Sequence, residues 1–144
     1  MENTRQIIMN KQEAISFLKT YQPLPDDENL TEEIINKYDE IRKFFIENPE
    51  DDVIELFLNS YGNGDGFGVY PLVEDVLLHC SKDKVILAIK KILENIDTPN
   101  NIRYWVTQNA ELFFDERLRI GLEISLQSES EDIRDAASII LNNY

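Results

Sequence analysis

At 144 residues the chain has room for one domain with a real core. Its 42% hydrophobic and 29% charged residues exclude a disordered chain, and five Gly and five Pro exclude a linker-rich one. Asp and Glu total 28 against 14 Lys and Arg, a net charge of -14, which opposes binding to nucleic acid or anionic lipid. Such a charge favours cationic surfaces, and both plain solubility and steering of a basic partner account for it.

The first helix is expected where Ala14, Phe17, Leu18 and Tyr21 share a face. Two prolines make Gln22 to Glu28 a loop. Ile34, Tyr38, Ile41 and Phe45 line a second helix that stops near Asn48. Asn48-Pro49 reads as the cap and first position of a third, whose stripe is Val53, Leu56, Phe57 and Tyr61. The alternating glycines Gly62, Gly64, Gly66 and Gly68 break it. A fourth helix carries Val69, Leu72, Val73, Val76, Leu77 and Cys80, with Pro71 in its first turn. Ser81 caps a fifth bearing Val85, Ile89, Ile92 and Ile96. Thr98-Pro99 repeats the cap-and-proline signal before a sixth with Ile102, Trp105, Val106, Ala110 and Phe113. Asp115 starts a seventh segment in which Leu118 to Leu126 fits either a strand or a helix, and helix is expected because a lone strand has no pairing partner. Ser130 caps an eighth with Ile133, Ala136, Ala137, Ile140 and Leu141 inside.

Val69, Ile102 and Ile133 open the second helix of successive pairs, 33 and 31 residues apart. One such pair cannot bury its apolar face alone, so stacking is expected. The segments Asp132-Ile133-Arg134-Asp135-Ala136-Ala137 and, in part, Asn101-Ile102-Arg103-Tyr104-Trp105 resemble the opening of the second helix in HEAT-like repeats, while Gly68-Val69-Tyr70 keeps only the aliphatic residue. The resemblance implies an all-α, HEAT-like α-α superhelix (solenoid) of about three helical hairpins behind an N-terminal helical cap. The whole of 1–144 then forms a single domain, with 1–48 as cap and 49–144 as three helical pairs. It further implies that Arg103 and Arg134 form a ladder of salt bridges or hydrogen bonds between repeats. Within the family, the glycine turn feeding Val69 to Asp75 is similar to small acidic bacterial immunity proteins of polymorphic toxin systems.

Catalytic signatures do not assemble. The glycine turn lacks the Gly-Lys-Ser/Thr end of a P-loop, and an EF-hand register would place Tyr61 and Leu72 where carboxylates belong. The turn reads as a flexible connector or as a partner-contacting loop. His79 is the sole histidine, and Cys80 falls on the apolar stripe. Carboxylates at helix starts suit the helix dipole, but Asp26-Asp27-Glu28 has no such reason. No catalytic, cofactor or metal residue is therefore assigned. One cysteine permits no internal disulfide, Met1 to Lys11 has no leader-like apolar stretch, and no run approaches the roughly 20 residues of a membrane span. A cytoplasmic monomer is expected, without membrane or nucleic-acid contact.

The expected function is a non-catalytic protein-binding module. Most concretely it is an immunity protein that neutralises a cognate, basic toxin domain; the alternatives are an intracellular scaffold and a HEAT-like nucleic-acid enzyme, which the charge disfavours. Partner contacts are assigned to Asp65, Phe67, Tyr70, Glu74, Asp75, Tyr104 and Glu111, with aromatic anchors edged by acid.

Overall fold

The computed structural model describes residues 9–144. The expectation about a leader over Met1 to Lys11 falls mostly outside them. Among the described residues the chain is entirely helical: α1 Lys11–Thr20, α2 Glu32–Glu47, α3 Ile54–Leu58, α4 Glu74–Leu77, α5 Lys82–Glu94, α6 Asn100–Leu112, α7 Arg119–Leu126 and α8 Glu131–Asn143. Short 3-10 turns cover Asp51–Val53, Gly66–Gly68, Tyr70–Val73 and Glu116–Leu118.

Side-chain caps set several helix starts. The Asn10 side chain and Glu13 form a reciprocal capping box, Thr31 Oγ1 accepts from the Ile34 amide, and Ser81 Oγ accepts from the Lys84 amide. The ambiguous seventh segment is a helix. Its buried face is Leu118, Leu122 and Ser125, and Gly121 lets the backbone approach α5, where an added Cβ would lie 2.5 Å from that of Leu93.

Four local expectations need correction. Asn48 ends α2 rather than opening α3, and its side-chain amide donates to the Phe44 carbonyl. The fourth helix is not continuous, because the residues after the glycines wind as a 3-10 turn through Pro71 before one α turn forms, leaving Leu72 exposed. Pro99 takes the N-cap place on α6, while the Thr98 hydroxyl turns back to the Ile92 carbonyl. Ile96 lies beyond the end of α5 and is exposed.

α5 packs against α6 and α7, and α8 packs against both α6 and α7. Toward the N-terminus, α1 rests on α2 and α3, and α2 on α4. A single buried cluster runs through all of these from Ala14 to Ile140. Its densest part is aromatic: Tyr38 packs on Phe57 and Tyr70, Phe45 on Phe57, and Tyr61 on Tyr70, at centroid separations of 5.4–6.2 Å. Such pairs add about 0.5–1.5 kcal/mol each beyond their buried area.

Arg103 and Arg134 occupy the same place in successive pairs and do related work. The buried Arg103 guanidinium donates to the Leu93 and Asn95 carbonyls at the end of α5 (2.9 and 2.8 Å) and to Ser125 Oγ on α7 (2.7 Å). The exposed Arg134 donates to the Ser128 and Glu129 carbonyls just after α7. Each arginine thus satisfies carbonyls left open where the preceding helix ends. The expected ladder between pairs is present only at Arg103, whose bond to Ser125 reaches the next pair; the Arg134 bonds stay within the α7/α8 pair.

Candidate functional site

The glycine turn is tied down at both ends. Leu24 N–H donates to the Ser60 carbonyl and Asp27 N–H to the Asn63 carbonyl. The Asp27 carboxylate accepts from the consecutive Asp65 and Gly66 amides at 3.1 and 3.2 Å, and Asp26 accepts from the Asn63 side-chain amide at 3.1 Å. This explains the acidic pair that helix dipoles leave unaccounted for: it is an internal anion filling a nest of loop amides. Trp105 Nε1 donates to the Gly64 carbonyl, and the Asn101 side chain donates to the Tyr61 carbonyl. The segment does connect two helical stretches, but it is held by five residues of two segments, the 24–27 loop and α6.

Within this loop Gly64, Gly66, Phe67 and Gly68 all have positive φ, at 107°, 60°, 53° and 88°. Glycine adopts such angles without penalty, whereas for an aromatic residue they carry strain of roughly 1–2 kcal/mol. Phe67 accepts that conformation with 51% of its surface exposed. A strained, solvent-facing aromatic on a pinned loop fits a contact residue better than a core residue.

Beside the loop lies a cleft of about 430 Å³, walled by Asn63 and Asp65 on one side, Tyr104 and Trp105 below, and Asp132 and Ile133 of α8 opposite. It continues into a smaller groove of about 190 Å³ between α6 and α8. There Tyr104, Gln108 and Glu111 face Asp132, Asp135 and Ile139. No lysine or arginine lines either part. Among the described residues, Asp65, Glu111, Asp132 and Asp135 form no salt bridge. Elsewhere some acidic groups do have a cation: Asp39 pairs with Arg42, Asp51 with Lys84, and Asp83 and Asp115 with Arg117.

The expected contact residues divide. Asp65, Phe67, Tyr104 and Glu111 are exposed or half-exposed along the loop and groove. Tyr70 does not belong with them: its side chain is wholly buried, and its hydroxyl accepts from the Gly62 amide at 2.9 Å. Burial raises that hydroxyl to a pKa of about 12. The assignment of Tyr70 as a contact assumed one regular helix from Val69 onward, and the 3-10 winding of Tyr70–Val73 leaves Tyr70 in the core. Glu74 is half-buried and accepts from the Asn109 side chain at 3.3 Å; Asn109 in turn accepts from the buried Tyr61 hydroxyl at 2.9 Å. Burial raises the Glu74 carboxyl above its usual range, the Asn109 bond offsets part of this, and nearby Glu111 and Asp75 add to it. Asp75 is exposed and lies 3.6 Å from Arg42 on α2.

Sequence reasoning missed Asp132, Asp135 and Ile139. Their spacing of three and four is that of one helix face, and it matches Tyr104, Gln108 and Glu111 across the groove. The 31-residue step from Ile102 to Ile133 also aligns Tyr104 with Asp135, so this signal was present. Cys80 and His79 offer no nucleophile pair. Burial pushes the Cys80 thiol up to about 11, and His79 Nδ1 lies 2.7 Å from the Asp75 carbonyl. Among the described residues no group of three His, Cys, Asp or Glu is placed to hold a metal ion, and no helix is long and apolar enough to cross a membrane. Comparison with protein-family models, with curated proteins and with solved structures gave no match for this chain.

Proposed function

We propose that this protein is a non-catalytic binding module that presents the glycine loop and the α6/α8 groove to a basic protein. The observation that carries the reading is the groove itself: four carboxylates and an aromatic wall, with no lysine or arginine among the lining residues. Unpaired surface carboxylates raise the association rate of a cationic partner, and Phe67, Tyr104 and Trp105 are the residue types that anchor interfaces. The pairing of α5 with α7 and α6 with α8, and the matched roles of Arg103 and Arg134, support a HEAT-like stack in which α6 and α8 form the binding layer. The specific function we favour is neutralisation of a bacterial toxin domain by occlusion.

The test is to look for a toxin domain encoded beside the gene and co-express the two; absence of such a neighbour counts against the toxin reading. Wild-type protein should restore growth. The double variant Asp132→Lys/Asp135→Lys should lose protection, keep its helical circular dichroism, and show weaker binding whose salt dependence is reduced. Full protection by the charge-reversed protein would remove the groove from the interface.

A further inference from the structure

The cleft at the loop end of the groove differs from the rest in what its polar atoms have left to offer. Asn63 spends its side-chain amide on Asp26, and Asn101 spends its own on the Tyr61 carbonyl at 2.6 Å. Those partners accept only, so neither amide can be turned around without setting oxygen against oxygen. Both Oδ1 atoms are therefore fixed as acceptors, and among the described residues no donor reaches them. Asp65 and Asp132 add two carboxylates without a cation. Trp105 Nε1–H, the indole's one donor, is already bonded to Gly64. The aromatic wall is rigid: Tyr61 stacks on Trp105 at 5.8 Å and 25°, and Tyr104 meets it edge-on at 5.1 Å.

An acceptor-rich cleft beside an aromatic wall suits a ligand that only donates, carries positive charge and has a flat face. Of the protein side chains that stay charged through neutral pH, arginine alone has all three properties; lysine lacks the plane, and histidine is mostly neutral there. We propose that this cleft is an arginine site, receiving one guanidinium of the basic partner against Tyr104 and Trp105 with Asp65 and Asp132 as its counter-charges. This inference rests on the reading of the groove as a protein-binding face. The competing donors are the first-turn amides of α6, for which the N-cap Pro99 supplies no side-chain acceptor. They would favour an anion instead.

Trp105 is the chain's only tryptophan and stands in the wall of this cleft, so its fluorescence is a single-site reporter there. Full-length protein is titrated with three peptides, acetyl-Gly-X-Gly-amide, where X is arginine, lysine or citrulline. The arginine peptide should give a saturable change in Trp105 emission. The neutral, isosteric citrulline peptide should bind about tenfold or more weakly, the loss of a charge-assisted interaction, with lysine between them. Asp65→Asn and Asp132→Asn, both at exposed positions, should each weaken the arginine peptide about three- to tenfold and leave citrulline unchanged. Equal binding of arginine and citrulline overturns the proposal, as does no saturable response to arginine. Saturation by sodium phosphate in place of arginine overturns it in favour of the α6 amides. The titration needs no partner protein, so its failure leaves the groove as a binding face, and failure of the charge-reversal experiment leaves the arginine site standing.

Discussion

Replacing Asp27 with alanine tests whether the glycine loop is held by a distant carboxylate. The change removes the acceptor for the Asp65 and Gly66 amides, two bonds at 3.1 and 3.2 Å. A hydrogen bond to a charged group contributes about 1.5–3 kcal/mol net, and partial exposure here reduces each to about 1 kcal/mol. The expected loss is therefore about 2 kcal/mol. At about 2.1 cal/mol/K of unfolding entropy per residue, a chain of this length should lose roughly 7 °C in Tm. Asp27→Asn, with a single neutral acceptor oxygen, should lose about half as much. Circular dichroism melting gives the global cost, and amide hydrogen exchange at Asp65 and Gly66 gives the local one. Exchange should accelerate at those two amides well before the core opens. A melting temperature within about 1 °C of wild type, together with unchanged exchange, would refute the latch.

Tyr61→Phe leaves Asn109 Oδ1 buried without its donor and should cost about 1–3 kcal/mol by urea unfolding; a cost near zero would show that water replaces the hydroxyl. Arg103→Met strands the Leu93 and Asn95 carbonyls and should cost about 2–4 kcal/mol, against less than about 1 kcal/mol for the exposed Arg134→Met; equal costs would deny that burial separates their roles. Glu74 has a folded pKa above its unfolded value, so its share of stability is complete below the ordinary Glu range and is lost as pH rises through the elevated value. Glu74→Gln should therefore stabilise the protein at about pH 7 and have little effect at about pH 4. The same urea-midpoint difference at both pH values would contradict the cause assigned to that shift.

Much of the fold is legible in local pattern. α5 and α8 carry apolar residues three and four apart and bury those stripes, while α6 buries Ile102, Val106 and Ala110 of its stripe together with Arg103, Thr107 and Asn109. The segment from Val69 to Cys80 shows the same spacing and is not one helix. Three positive-φ glycines precede it and Pro71 lacks an amide, so two short windings form where the pattern suggests one. α7 is legible only from its surroundings, since its alternation of Leu and polar residues is equally that of a strand. In the site, Tyr104 and Glu111 were readable because α6 is regular. Tyr70 was misread because its turn is not. Asp27 was unreadable in its role: its partners lie 38 and 39 residues away, and no local rule couples a loop acid to a glycine turn at that distance.

The latch also bears on how such a chain can change over time. Under the HEAT-like reading proposed above, the stack would grow by adding a further helical unit beside an existing one. A copy of 49–80 would carry the glycines, but Asp26 and Asp27 would stay behind in the first loop. The duplicated turn would keep four positive-φ residues and have no internal anion to gather its amides. Growth at the α8 end meets no such obstacle, since the Arg134 bonds close within their own unit. The glycine loop is thus confined to a single occurrence, next to the segment that holds it.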